Sequence, residues 1–176
     1  MISLPIAEEW EVRYDNALSW FQYGYRYDSL SQCHPYKDFG QAFYLTSDKS
    51  QAQDIADARV DFLGGEPVIN SFCFDETLLV DGTLTFKSFE SYTQEWAEFI
   101  YNHRDESQVP PYKHSFDVVY GPIANDRVGL QIRNYRLGNI NKREFLRRLR
   151  YMKGITFQYA FCTERAIEKL QPYECK

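Results

Sequence analysis

Residue types that do chemistry are sparse in this chain and badly placed for the familiar schemes. Three histidines, His34, His103 and His114, lie far apart, and only Cys33-His34 sets two ligand or nucleophile types side by side. Zinc takes four such ligands and no second pair exists, so no metal site is expected. Adjacent side chains on a loop rarely face each other, which leaves Cys33 without a base. Neither G-x-G-x-x-G nor G-x-x-x-x-G-K-S/T occurs, so Rossmann and P-loop phosphate binding lack support, and H-E-x-x-H and G-x-S-x-G are absent too. Asp54, Asp57 and Asp61 recur at helical spacing and read as an exposed helix face. The segment KREFLRRLR (142–150) is basic on one helical face, either solvated or a patch for a phosphate-bearing target.

Composition bounds what those residues can serve. A chain of 176 residues, 44% hydrophobic and 26% charged, is globular and long enough for one core, and it is read as a single domain over 1–176. A net charge of −5 argues against whole-molecule attraction to nucleic acid or an anionic membrane. No apolar run reaches the ~20 residues of a membrane span, and the start MISLPIAEEWEV lacks the pattern of a secretory signal. The four spread cysteines then read as reduced thiols in a cytoplasmic protein. Aromatics reach 17%, enough to offer stacking planes as well as core.

The elements that must position these residues follow from periodicity and punctuation. Strands are expected at 9–15, 41–46, 68–75, 77–86, 116–121 and 155–162, with Asp81-Gly82 as a hairpin turn inside the fourth. Ala52, Ile55, Ala56 and Val60 predict a helix over 50–62 that ends at Gly64-Gly65. Phe89, Tyr92, Trp96, Phe99 and Ile100 predict another over 88–103, and further helices are expected over 126–137, after an Asn141 cap, and from a Thr163 cap to Leu170. Residues 16–37 read as an aromatic loop. Strands and helices do not alternate regularly, which gives an α+β class.

Three segments carry a resemblance: Asp38-Phe-Gly-Gln-Ala-Phe-Tyr-Leu-Thr46, Asp117-Val-Val-Tyr-Gly-Pro-Ile-Ala-Asn-Asp126, and Gln158-Tyr-Ala-Phe-Cys-Thr-Glu-Arg-Ala-Ile-Glu-Lys-Leu170. In this order they are similar to segments of the ADP-ribosyltransferase superfamily, closest to its bacterial domain-of-unknown-function 3990 branch. The resemblance implies split, bent β-sheets with peripheral helices and NAD+ bound as co-substrate in a cleft between them. It implies an NAD+-dependent mono-ADP-ribosyltransferase, a bacterial toxin or effector acting on a protein or other macromolecule, with an antitoxin protein as a further partner. An NAD+ glycohydrolase, or a degenerate module that binds a nucleotide or protein, are the alternatives.

Carried over residue by residue, the catalytic positions are Tyr44, Gln158 and Asp15. Tyr44 would stack on the nicotinamide, with Phe43 or Phe39 as alternates. Gln158 stands where the superfamily usually has Glu, and Asp15, in Tyr14-Asp15-Asn16-Ala17, where it has His; Arg13 is a second candidate there. Gly40, Thr46 and Tyr14 complete the implied NAD+ contacts, and Ala42 replaces the usual second Gly. An amide at 158 can accept a ribose hydroxyl but cannot take a proton. Each position also has a plainer reading: Gln158 as a buried amide, Tyr44 as core, Asp38 as the partner of its own turn, and Asp117, Gly121 and Pro122 as a strand end and turn. Glu164 could lend the missing carboxylate or simply favour a helix start.

Overall fold

A computed structural model describes residues 11–14, 30–150 and 154–172. The elements run β1 (Glu11–Tyr14), a 3-10 turn (Leu30–Gln32), β2 (Phe43–Thr46), α1 (Lys49–Leu63), β3 (Asn70–Cys73), α2 (Thr77–Val80) and β4 (Phe86–Ser88). Then follow α3 (Gln94–Arg104), β5 (Val118–Pro122), α4 (Asp126–Arg136), α5 (Lys142–Arg150), β6 (Phe157–Phe161), α6 (Glu164–Ile167) and β7 (Gln171–Pro172). The class is α+β. The strands hydrogen-bond in the order β4-β5-β6-β2-β1-β3-β7. Among the described residues only β4 and β5 pair in parallel.

Alternation along the central strands explains two cores. Val118 and Phe161 bury on one face with Phe43, Leu45 and Phe72. Val119 and Ala160 bury on the other, with Phe39, Trp96, Ile100 and Phe145 from the loops and helices. Strands β5 and β6 are therefore covered on both sides, which is why their sequence reads as near-continuous apolar runs.

The helix starts follow side-chain caps. Asp48 accepts from Ser50 and Gln51 N–H, Thr93 from Trp96, Asn125 from Val128 and Asn141 from Glu144, while Thr163 caps α6. The caps at Asn141 and Thr163 are those expected. Two expectations are corrected. Residues 77–86 are not a strand pair: Asp75 accepts from Thr77 N–H and Oγ at 3.0 and 2.6 Å, turning the chain into α2, and Leu84 drops into the second core. Residues 88–93 are not helical: Phe89 N–H donates to Tyr120 C=O at 2.9 Å, prolonging the β4–β5 edge until Thr93 caps α3.

Candidate functional site

The first motif folds as a turn in which each of three residues has a separate physical reason. Gly40 N–H closes onto Lys37 C=O at 3.0 Å, with Gly40 at φ +85°, a backbone that a Cβ disfavours. A Cβ there would also lie 2.8 Å from Cδ2 of His103. Phe39 is fully buried, its ring within 6.5 Å of Tyr44 and 6.2 Å of Phe89. Asp38 is turned inward and 4% exposed, and a buried carboxylate must find donors.

It finds them in distant segments. Arg104, the last residue of α3, donates Nε to Asp38 Oδ1 at 2.6 Å and Nη2 to Ala124 C=O at 2.7 Å. Ala124 N–H donates to Asp38 Oδ2 at 2.9 Å, and Gln158 Nε2 donates to the same oxygen at 3.0 Å. The expected bond from Asp38 to its own turn is not what the carboxylate does; it joins all three motifs. A second aspartate repeats the pattern. Asp117, 2% exposed, accepts from Thr85, Thr163 and Arg165, tying the second motif to the third. The Arg165 guanidinium holds the Asp117 carboxyl far below the usual carboxylate range.

Beside Asp38 a cavity of about 210 Å³ opens, walled in part by Tyr44, Thr46, Gln51, Arg104, Ile123 and Gln158. Gln158 pairs with Gly121 across β5–β6, and a Cβ at Gly121 would meet Phe39 Cζ at 3.0 Å, so the glycine lets Phe39 pack beneath the strand. Because a carboxylate only accepts, the Gln158 NH₂ faces Asp38. Its carbonyl oxygen has no hydrogen bond among the described residues. Tyr44 Oη accepts from Phe39 N–H and donates to Gly40 C=O, both at 2.9 Å. Burial, then the Asp38 charge, pushes this phenol well up, so it stays protonated and acts as a clamp on the turn. Thr46 Oγ1 donates to Gln51 Oε1 at 3.0 Å.

The structure thus brings Tyr44, Thr46 and Gln158 to one cavity wall; Phe43 borders the cavity, but its ring packs into the second core edge-on against Phe72. Phe39 is corrected: its ring is core, fully enclosed, with no surface to stack on a ligand. Gly40 acts through the turn's backbone and is likewise buried. Glu164 is also corrected as a spare carboxylate, since its Oε1 accepts Leu30 N–H at 2.8 Å and it does not border the cavity. Asp15 lies outside the described residues, as do the side chains of Arg13 and Tyr14, whose backbones pair with Thr46 and Leu45. Cys33 lines the cavity, but burial and the Glu164 charge push its thiol up and away from a reactive thiolate. Sequence reasoning missed Arg104. It follows Trp96 and Ile100 at helical spacing of eight and four, and a cation on an apolar helix face was the available signal.

The other chemistry-bearing types resolve simply. His103 and His114 come together with ring centroids 5.1 Å apart, yet each uses a nitrogen on a backbone carbonyl, Phe99 and Phe39 respectively. Cys33, Cys73 and Cys162 are free thiols. In α5, Glu144 accepts from both Arg147 and Arg148. Among the described residues no helix is long and apolar enough to cross a membrane.

The family described as "Protein of unknown function (DUF3990)" matches residues 25–171. No curated protein and no solved structure matches the chain.

Proposed function

The chain belongs to the DUF3990 family, and we propose that it is an NAD+-dependent mono-ADP-ribosyltransferase with a macromolecular acceptor. The observation that carries this reading is the Gln158 amide, fixed through its nitrogen by Asp38, its carbonyl oxygen without a hydrogen bond among the described residues, on the same cavity wall as Tyr44. Those are the two positions at which the resemblance to ADP-ribosyltransferases implies ribose and nicotinamide contacts.

The residues fit part of NAD+. Drug-sized pockets run to ~300–1,000 Å³, so about 210 Å³ suits a ring and its sugar rather than the whole dinucleotide. Lys37, exposed at the cavity margin, would supply the cation for a pyrophosphate. In the reaction the bond from ribose C1′ to the nicotinamide nitrogen breaks, and its electron pair leaves with the neutral ring. An acceptor lone pair then bonds to C1′ and the acceptor loses its proton to solvent. The transition state is cation-like at the sugar. Donation to the Asp38 carboxylate polarises the Gln158 amide and makes its oxygen a stronger acceptor for a ribose hydroxyl. Asp38 itself is occupied by Arg104, Ala124 and Gln158, and Glu164 by Leu30, so neither takes the acceptor's proton. A general base contributes ~10²–10⁴-fold, and a site without one implies slow turnover or a self-activating acceptor.

That same occupancy favours a second reading, a module of this fold that binds NAD+ without turning it over. The test is purified protein with labelled NAD+ and a cell lysate, following protein labelling and nicotinamide release. Labelled bands that vanish with Gln158→Ala establish the transferase. Nicotinamide release without bands means a glycohydrolase. Binding with neither signal leaves the second reading, and absence of binding overturns both.

A further inference from the structure

Charge is distributed very unevenly in this protein. Residues 126–150 hold eight arginines and lysines against Asp126 and Glu144, a net +6, so within a total of −5 the rest of the chain carries −11. The segment is the α4–α5 pair, clipped together where Arg148 Nη1 donates to Gln131 Oε1 at 2.9 Å. Two of its cations, Arg147 and Arg148, are neutralised by Glu144.

Three of the others stand where local physics disfavours them. Arg127 opens α4, and Lys142 and Arg143 open α5, all exposed in first turns whose unpaired N–H groups already carry positive potential. No hydrogen bond or ion pair within the described residues offsets this cost. Locally unfavourable choices without a compensating gain mark sites selected for something else.

The outward face of α4 adds a second feature. Val128 and Ile132 point into the core, while Arg127, Leu130, Arg133 and Leu137 share the opposite face in alternation. Leu130 is 55% and Leu137 64% exposed. Phosphate recognition needs the arginines but not the leucines, and the −11 on the rest of the molecule repels a long polyanion. Arginines around apolar anchors are instead the composition of a protein interface. A second copy of this chain, offering its acidic surface, would make a head-to-tail contact that closes only by chance of rotation.

We propose that the outward face of α4, together with the first turn of α5, is a docking surface for an acidic amphipathic segment of another protein, its apolar side chains seating on Leu130 and Leu137 and its carboxylates on Arg127, Arg133 and Arg143. This surface is independent of the cavity reading. The test measures anisotropy of a labelled synthetic amphipathic helix of leucine and glutamate against the full chain. Arg127→Glu/Arg133→Glu and Leu130→Ser/Leu137→Ser alter only exposed side chains, with thermal unfolding as the folding control. Each double variant is expected to weaken binding at least about tenfold, and raising salt to weaken it several-fold. The proposal fails if binding ignores either pair of substitutions, if a labelled DNA duplex binds as tightly as the peptide, if the peptide does not bind, or if the protein alone self-associates through this face.

Discussion

Asp38 and Gln158 stand 120 residues apart in the chain and 3.0 Å apart in space, the amide nitrogen of one donating to the carboxylate of the other. This contact gives a physical reason for an amide at 158. A carboxylate in its place would face Asp38, and two like charges at that distance cannot both ionise without cost.

Gln158→Glu is therefore expected to destabilise the fold in a pH-dependent way. The new carboxyl titrates higher in the folded protein than in the unfolded one. The folded state then binds more protons between those values, and its stability falls as pH rises. The deficit against wild type should be largest near pH 8 and shrink toward pH 5, by about 1.4 kcal/mol for each tenfold loss of acidity that folding imposes on the new carboxyl. Urea unfolding at both pH values measures it. A deficit that is equal at both would mean that position 158 does not face Asp38 in solution.

Much of this framework is legible in the sequence because it is local. The caps at Asn141 and Thr163 and the helix from Ala52 to Val60 follow from spacing alone. The three motifs are also visible as residue strings, but the reason for them is not. Asp38 and Asp117 are spent on donors brought from other segments, and nothing in a linear pattern says which buried aspartate meets Arg104 and which meets Arg165. The misread stretch at 77–86 fails for a related reason: its apolar residues suit a strand, yet Asp75 and the second core turn them into α2 and a loop.

Tyr44 separates a clamp from a stacking plane. Tyr44→Phe removes the hydroxyl that serves Phe39 N–H and Gly40 C=O, at a cost of about 1–3 kcal/mol, while keeping the ring. Under the proposed activity its nicotinamide release should stay within about tenfold of wild type, whereas Tyr44→Ala should lose release altogether. Equal loss in both variants would assign the tyrosine to holding the turn, not to a ligand.

Asp117 should govern acid stability. Its carboxyl is held far below the usual range, chiefly by Arg165, so its contribution is complete above the unfolded value and is lost as pH falls below about 4. Removing one partner of a buried pair costs about 3–5 kcal/mol, and the half-exposed Arg165 places Asp117→Asn near the low end. Denaturant midpoints should differ widely near pH 6, and the gap should narrow steadily below about pH 4, closing only once the folded carboxyl is protonated as well. A gap that stays unchanged from pH 6 down to about pH 2 would show that packing, not charge, is what the substitution removes.

His103 supplies a dependence in a higher window. It is 1% exposed, its Nδ1–H donates to Phe99 C=O at 2.7 Å, and its buried Nε2 has no partner among the described residues. Burial pushes its pKa down to about 4, against 6.5 ordinarily. Between those values the unfolded chain takes a proton that the folded one refuses, so stability declines as pH drops from 6.5 toward 4, by at most about 3 kcal/mol. His103→Leu cannot titrate and should flatten that decline. Some slope should remain, because burial also pushes His114 down. Thermal or urea unfolding of both proteins across this range decides the matter, and parallel profiles would rule out His103 as its source.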